Sequence, residues 1–201
     1  MSKIRSLRLP VDLSIQLFHQ LVLPILLYGC EVWGYSDFEQ VEVFYRKFLK
    51  NILNISSNTP TCFVHGETGT MPVRAHVSAR MLTFYARICN GKQTKLSYIL
   101  YKVLRKKHES DSDFYSPWID TVKSWFCDLG MRDFWVNECS GFSVDYIKQA
   151  VKLRISDIHK QHWFEEIAEN SACFYHSRIK NDPSLEKYLI DLDYKSKCCS
   201  I

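Results

Sequence analysis

The stretch that decides the fold of this chain is Leu9–Gly34, LPVDLSIQLFHQLVLPILLYGCEVWG. An apolar stripe recurs along it every four residues: Leu13, Leu17, Leu21 and Ile25. This spacing predicts a helix that begins at Asp12. Three more side chains widen the stripe: Phe18, Val22 and Leu26. A helix that is apolar nearly all round is usually buried, and Pro24 predicts a kink because it removes a backbone donor.

The composition indicates a folded helical domain. The 201 residues are 46% hydrophobic and 14% aromatic, but include only 7 Gly and 6 Pro. A chain of this length forms one domain, or one domain and a fragment, and buries roughly two thirds of its unfolded surface. The aromatic content argues against disorder, and the scarcity of turn residues favours helices over a β-sandwich or barrel.

Further helices follow from apolar periodicity, and their predicted inward faces are as follows. Helix two has Val41, Phe44, Tyr45, Phe48, Leu49, Ile52 and Leu53; helix three, Val73, Val77, Met81, Phe84, Tyr85 and Ile88; helix four, Leu96, Ile99, Leu100, Val103 and Leu104; helix five, Ile119, Val122, Trp125, Phe126 and Leu129. Helix six has Val144, Ile147, Val151, Ile155, Ile158, His162 and Trp163, and a last helix starts at Asp182 with Leu185, Tyr188, Leu189 and Leu192. Glu42 and Arg46, four residues apart, are expected to pair.

No segment alternates with period two, so the sequence predicts an all-α, irregular bundle of six to eight helices.

Charge and cysteine content point to an intracellular protein. The net charge is +4, from 26 Lys and Arg against 22 Asp and Glu, which is compatible with a nucleic-acid partner without indicating one strongly. Eight cysteines are scattered and no secretion signal is visible, which is typical of reduced thiols in the nucleus or cytoplasm. The longest apolar run, Leu21–Tyr28, is too short to span a bilayer, so no membrane partner is expected.

Several motifs follow one another in a fixed order along the chain. The opening matches an L-P-x-L-x-Y-G-x-E-x-W pattern from Leu23 to Trp33. A T-P-x-x-x-V-x-G-E-x-G-x-x-P-[LV] pattern follows from Thr59 to Val73. Shorter pieces continue the match: Arg80-Met81 with Phe84, Asn90–Lys92, Lys95–Tyr98, Trp163–Ile167 and Glu186–Leu189. Together these motifs resemble the region after the polymerase core in reverse transcriptases of non-LTR (LINE-like) retrotransposons. The resemblance covers most of the chain, and its motifs are structural rather than catalytic.

The resemblance implies a thumb and post-thumb region without the polymerase itself. It implies a thumb-like helical region over 1–107 and a post-thumb helical region over 116–201. The polar stretch between them, 108–115, is predicted to be a flexible linker. The family's polymerase needs paired aspartates to hold two metal ions, whereas this chain contains no Asp-Asp pair, and Asp191-Leu-Asp193 is the nearest approach. We therefore expect a fragment with no enzymatic activity, no cofactor and no small-molecule substrate.

Metal sites are weakly indicated. Cys62 and His65, with His76 further on, have zinc-like spacing but lack a fourth ligand. His159 and His162 lie three residues apart on a predicted helix, where a packed or solvated pair is the commoner arrangement. The adjacent Cys198 and Cys199 cannot comfortably bind one ion. Ordinary loop and surface roles explain these residues, so no metal site is predicted.

Two basic clusters are the candidate contacts to RNA or an RNA–DNA hybrid: Arg46, Lys47 and Lys50, and then Lys102, Arg105, Lys106 and Lys107. A polymerase thumb grips the template–primer duplex, and each cation on a phosphate backbone adds a salt-dependent attraction. Basic residues near a helix C-terminus also interact favourably with the helix dipole without any ligand. The alternatives are a helical protein–protein interaction module and a transposon remnant without function. The oligomeric state is left open.

Overall fold

The computed structural model describes residues 9–111, 113–170, 173 and 178–190. These residues form nine helices: α1, which runs through Val11–Leu17, a π-helical turn Phe18–Val22 and Leu23–Leu26; α2 Cys30–Trp33; α3 Glu39–Leu53; α4 Thr61–Thr68; α5 Val73–Cys89; α6 Leu96–Ser110; α7 Pro117–Asp128; α8 Arg132–Val136; and α9 Val144–Glu169. A 3-10 turn covers Lys187–Leu189. The described residues contain no strand, so the predicted all-α class is confirmed, with one helix more than the predicted range.

Contacts divide the chain into two compact units. The first unit contains 1–28, 39–73 and 159–201, and the second contains 29–38 and 74–158. The predicted linker at 108–115 lies inside the second unit, and its first three residues continue α6. Among the described residues, no helix is both long and apolar enough to cross a membrane.

Helix α1 turns its predicted inward stripe toward solvent. Leu21 is 61% exposed and Ile25 is 76% exposed. The side chains that are buried instead are Val11, Ile15, Phe18, Leu23 and Leu27. Their spacing is helical except for a five-residue step from Phe18 to Leu23, which coincides with the π-helical turn. The predicted stripe is wrong from its start, since Leu13 is exposed before the π turn begins. The extra residue of that turn then moves the buried face on to Leu23 and Leu27.

Phe18 packs α1 onto α3 in the first unit. Its ring stacks on Phe48, with centroids 4.3 Å apart, and lies 5.2 Å from the ring of Tyr45. The Tyr45 hydroxyl and His19 Nε2 are 2.7 Å apart. Burial raises the pKa of the Tyr45 phenol and lowers the pKa of His19. Both groups are therefore held neutral, and their hydrogen bond satisfies polar atoms in an otherwise apolar contact.

Helix α9 keeps a four-residue stripe along most of its length: Ile147, Val151, Ile155, Trp163 and Ile167. The position between Ile155 and Trp163 belongs to His159, whose ring lies 5.9 Å from that of His65. The prediction that His162 faces inward is wrong, since its side chain is 68% exposed. Within the first unit, Trp163 anchors α9 to α4 by donating from Nε1 to the carbonyl of Cys62 at 2.8 Å.

The last described segment is not the predicted helix. It pairs with the end of α4 instead, through a bridge between Thr68 and Leu185 and a hydrogen bond from Glu186 N to Glu67 O. The buried Lys180 donates to Glu186 Oε1 at 2.5 Å. This extended backbone pairing competes with helix formation, so only the 3-10 turn follows. Leu192, the end of the predicted helix, lies outside the described residues.

Helices α5 and α7 of the second unit follow their predictions. In α5 the buried stripe includes Val77, Met81, Tyr85 and Ile88. In α7 the buried stripe consists of Ile119, Val122, Trp125 and Phe126. Trp118 next to that stripe donates from Nε1 to the carbonyl of Glu31 at 2.8 Å, which ties α7 to α2.

Gly34 is required where the chain leaves α2 and meets α5. A Cβ built on it would lie 2.5 Å from Val77 Cγ1, 2.6 Å from Cys30 O and 2.7 Å from Met81 Sδ. All three distances are shorter than any normal carbon contact, and one of the atoms belongs to the backbone. The glycine that follows Trp33 is thus explained by close packing, since its φ of −63° suits any residue.

We expect Gly34→Ala to lower the free energy of unfolding by about 1–3 kcal/mol, because the added methyl overpacks the contact with α5. Urea denaturation followed by circular dichroism measures the change. Ser36→Ala is the control, since Ser36 is exposed and such surface changes usually stay within about 0.5 kcal/mol. Equal stability of the two variants would contradict the packing explanation.

Candidate nucleic-acid interface

The three predicted cations of α3 lie in the first unit. Arg46 Nη2 donates to Glu39 Oε1 at 2.5 Å, whereas its predicted partner Glu42 is buried. Lys50 Nζ donates to the carbonyl of Ser57 at 2.7 Å. Lys47 is exposed and makes no ion pair among the described residues. This cluster therefore leaves one cation without an internal partner.

Helix α6, which carries the second cluster, packs with the face opposite to the predicted one. Its aliphatic stripe is exposed: Leu96, Ile99, Leu100, Val103 and Leu104. Leu96 is 70% exposed and Val103 is 58% exposed, while Tyr101 on the other side is buried. The prediction that the aliphatic stripe faces the core is wrong, and the reason lies in the polar groups around Tyr101.

Arg105 and Glu138 form the centre of a hydrogen-bond network on the inward face of α6. Arg105 Nη1 lies 2.9 Å from Glu138 Oε1 and 2.8 Å from the Tyr101 hydroxyl. Tyr101 in turn donates to Glu138 Oε1 at 3.1 Å, and Lys102 Nζ lies 2.6 Å from Oε2. Both oxygens of the Glu138 carboxylate thus accept hydrogen bonds from charged or hydroxyl donors. These bonds offset the free-energy cost of partly removing the carboxylate from water.

Aromatic rings complete this network, which we call the Arg105–Glu138 network. The Arg105 guanidinium lies 4.5 Å from the centroid of the Trp135 ring, a cation–π distance. Trp135 stacks on the fully buried Tyr85 at 5.4 Å, and the Tyr85 hydroxyl is 3.2 Å from that of Tyr101. Burial opposes ionisation of Glu138, but the hydrogen bonds and charges of Lys102, Tyr101 and Arg105 outweigh it and lower its pKa.

The carboxylate is presented by a turn with unusual backbone geometry. Glu138 and Cys139 have φ values of 48° and 57°, in the left-handed region that non-glycine residues rarely adopt. Such conformations persist where surrounding contacts hold them, and here the three donors to Glu138 do so. Lys102 and Arg105 therefore serve the fold, which makes them poor candidates for free ligand contacts.

The remaining two predicted cations of α6 are accessible. Lys107 Nζ lies 4.5 Å from the centroid of the Phe114 ring and forms no ion pair among the described residues. Lys106 is exposed and makes no ion pair in the described part of the chain either. Of the seven predicted cations, four therefore lack an acidic partner within the described ranges: Lys47, Lys50, Lys106 and Lys107.

The basic cluster of α6 lies within a longer basic segment, which the prediction of two separate clusters missed. The chain has no Asp or Glu between Glu67 and Glu109, and nine cations lie in that interval: Arg74, Arg80, Arg87, Lys92, Lys95, Lys102, Arg105, Lys106 and Lys107. Arg87, Lys92 and Lys95 are exposed and form no ion pair among the residues described. The net charge of +4 conceals this segment because acids outnumber bases elsewhere. A running charge count along the sequence detects it.

The residues considered as metal ligands have other contacts. The Sγ atom of Cys62 lies 3.6 Å from that of Cys173, and His65 Nδ1 lies 3.1 Å from Thr70 Oγ1. Within the described ranges no group of three or more His, Cys, Asp or Glu side chains is placed to hold a metal ion. Asp191, Asp193, Cys198 and Cys199 lie outside those ranges.

Comparisons with protein-family models, with curated proteins and with solved structures gave no significant match. The similarity to reverse transcriptases therefore rests on the quoted residues alone. Some of those residues have roles in packing: a Cβ on Gly69, which has a φ of 62°, would lie 2.7 Å from the backbone nitrogen of Leu185. Such roles concern the fold and carry no chemistry.

We expect Glu138→Gln to lower the free energy of unfolding by about 1–3 kcal/mol, because a neutral amide cannot accept from both Lys102 and Arg105 as the carboxylate does. Urea titration at neutral pH measures this loss. Because folding lowers the pKa of Glu138, the wild-type contribution is present above the ordinary value of 4.5 and is lost as the pH falls below it.

Glu109→Gln is the matched control for that measurement. Glu109 also pairs with Arg105, at 2.9 Å, but its side chain is 57% exposed. An exposed pair of this kind contributes about 0–1 kcal/mol. Equal losses for the two glutamine variants would show that the Arg105–Glu138 network does not stabilise the second unit as argued.

Proposed function

We propose that this chain is a non-catalytic helical part of a non-LTR retrotransposon reverse transcriptase, and that it contacts the backbone of RNA or an RNA–DNA hybrid. The observation that carries the proposal is the basic segment without acids between Glu67 and Glu109. The residue resemblance supplies the polymerase context. The proposed function needs no cofactor and no small-molecule substrate, and we assign it no catalytic step because the chain has no Asp-Asp pair.

The cations available for this contact differ from those first predicted on α6. Lys102 and Arg105 are engaged with Glu138, so we assign the backbone contact to four exposed cations of the second unit: Arg87, Lys92, Lys95 and Lys106. Arg87 lies in the last turn of α5, and Lys92 and Lys95 lie between α5 and α6. Point charges in a segment without acids attract phosphates with little dependence on base sequence.

The test is the salt dependence of binding to a fluorescently labelled RNA–DNA hybrid, measured by anisotropy. We expect affinity to fall steeply from about 50 to about 200 mM KCl. Replacing all four residues with alanine should reduce the magnitude of the slope of log K against log salt by about 3, since each phosphate contact contributes about 0.7–0.9 to that slope.

The matched control removes four exposed cations from elsewhere in the second unit: Lys123, Arg132, Lys148 and Lys152. It changes the net charge by the same amount, so it separates a localised site from general attraction. The control should keep most of the wild-type slope. Equal slopes for the two quadruple variants, or no binding by the wild type at low salt, would refute the proposed contact.

A second candidate function, a protein–protein interaction module, is favoured by the exposed aliphatic stripe of α6. At about 100° per residue, the five aliphatic side chains cover an arc of about 140°, and Lys95, Lys102 and Lys106 lie along one border of it. Exposed apolar stripes on a helix are typical of surfaces that bind another helix. We propose that the partner here is an amphipathic helix with acidic residues beside its apolar seam.

Charge decides between this partner and a second copy of the chain. Pairing α6 with itself places lysines against lysines, and the one acid on the helix, Glu109, is already paired with Arg105. An acidic helix removes the repulsion and covers the same aliphatic side chains. The phosphate backbone of a nucleic acid offers nothing to cover them.

The probe is a synthetic helix of about 18 residues with a leucine seam bordered by Glu, compared with the same peptide bordered by Lys. We expect the Glu peptide to bind the chain at least about tenfold more tightly, which corresponds to about 1.4 kcal/mol. Ile99→Asp with Val103→Asp should abolish that preference, and Val136→Asp, at an exposed position on α8, should not. Equal binding of both peptides, or dimerisation through α6, would refute the proposed partner.

A further inference from the structure

Two cysteines from distant parts of the sequence touch each other in the first unit. Cys62 lies in the first turn of α4, and Cys173 follows the end of α9. Their Sγ atoms are 3.6 Å apart, although the two residues are 111 positions apart in the chain. A disulfide bond is about 2.05 Å long, so an approach of about 1.5 Å brings the two sulfurs to bonding distance.

The end of α9 holds both cysteines. Trp163 donates from its indole Nε1 to the Cys62 carbonyl at 2.8 Å. The backbone N–H of Cys173 donates to the carbonyl of Asn170, also at 2.8 Å. Trp163 and Ile167 form one buried cluster with the two cysteines. The backbones of both cysteines are therefore anchored to the same stretch of chain, which keeps the sulfurs in contact.

We propose that Cys62 and Cys173 form a modification site, at which a low-molecular-weight disulfide such as oxidised glutathione converts the two thiols into an intramolecular disulfide. The bond joins α4 to the segment after α9 and so closes the first unit covalently. The proposal is independent of the nucleic-acid contact, since the four cations assigned to that contact lie in the second unit.

The exchange reaction balances without any other reagent. One cysteine loses its proton to the buffer, its sulfur attacks one sulfur of glutathione disulfide, an S–S bond to the protein forms, and one glutathione thiolate leaves. The second cysteine then loses its proton, and its sulfur attacks the first, so that the Cys62–Cys173 bond forms and a second glutathione thiolate leaves. The two thiolates take up the two protons. Two protein thiols have been oxidised, and one disulfide has been reduced to two thiols.

Burial controls the rate of this reaction. Cys62 is 5% exposed and Cys173 is 1% exposed, so a tripeptide disulfide cannot reach either sulfur while the contact is closed. Burial also raises the pKa of the Cys62 thiol, and the thiolate is the reactive form. The first exchange therefore requires local opening of the contact with α4. The second exchange needs no further reagent, and the closing of the contact brings the two cysteines together.

Proximity controls the equilibrium. In the unfolded chain the two thiols are the ends of a loop of more than a hundred residues, whose closure has a large entropic cost. In the folded unit the two sulfurs are already together. Folding therefore favours the disulfide, and by linkage the disulfide favours the folded unit by the same factor.

The test equilibrates the intact chain with reduced and oxidised glutathione, in native buffer and in concentrated urea. Thiols are then blocked with N-ethylmaleimide, and tryptic peptides are mapped without reduction, where the link joins peptide 51–74 to peptide 161–178. We expect the effective concentration of the two thiols to be at least about tenfold higher in native buffer than in urea, which corresponds to about 1.4 kcal/mol.

Cys127→Ser is the control for this measurement, since it removes an exposed thiol and should leave the yield of that link unchanged. Equal effective concentrations in buffer and in urea would overturn the proposal. So would native linkage of Cys62 and Cys173 to other cysteines instead of to each other.

The stability of the chain provides a second measurement. Treatment with oxidised glutathione should raise the urea midpoint of the wild type and of Cys127→Ser. Cys62→Ser and Cys173→Ser each lack one sulfur of the pair, so their midpoints should not rise. Each variant is compared with itself before and after treatment, so the effect of the substitution on stability does not enter the result. A rise in either of these two variants equal to that of the wild type would overturn the proposed site.

Discussion

The contact of Arg105 with Glu138 determines how the second unit is assembled. A guanidinium and a carboxylate 2.9 Å apart, with side chains 15% and 27% exposed, need several further donors to offset the loss of water. Tyr101, Lys102 and the face of Trp135 surround the pair. Once these groups face inward, α6 has no freedom to bury its aliphatic side as well, because that side lies on the opposite half of the helix.

The orientation of α6 divides its basic cluster into cations that stabilise the fold and cations that remain in solvent. Lys102 and Arg105 are occupied within the fold, whereas Lys106 remains in solvent beside the aliphatic stripe. The surface of α6 is consequently both basic and apolar. A backbone contact to nucleic acid uses the charges, and an acidic amphipathic helix uses the charges and the stripe together. The two proposals share a surface but depend on different side chains.

The same network places the turn at Glu138 and Cys139 next to the end of α5. The left-handed φ values of these two residues are maintained by the donors to Glu138. The donors come from Tyr101, Lys102 and Arg105 on α6, more than thirty residues earlier in the chain. No local pattern in the sequence therefore indicates this turn.

The errors of prediction have specific physical causes. In α1, the buried face contains Val11 and Ile15 instead of Leu13, and one π-helical turn then moves it from Phe18 to Leu23. Periodicity analysis assumes a constant number of residues per turn. In α9, His159 takes the inward position that was given to His162, because the four-residue stripe continues through it. Residues 178–190 exchange helical hydrogen bonds for pairing with the end of α4, a partner more than a hundred residues away.

The sequence by itself determined the all-α class, the positions of most helices and the buried faces of α5 and α7, because those faces are mainly apolar and the hydrophobic effect acts on them without regard to partners. The sequence also shows the excess of positive charge between Glu67 and Glu109 directly. Only the tertiary structure decided the orientation of α6, and with it which cations serve the fold and which remain on the surface. The polar side chains on the inward face of α6 depend on Glu138 and Trp135 for their contacts, and those distant residues are brought to α6 by folding.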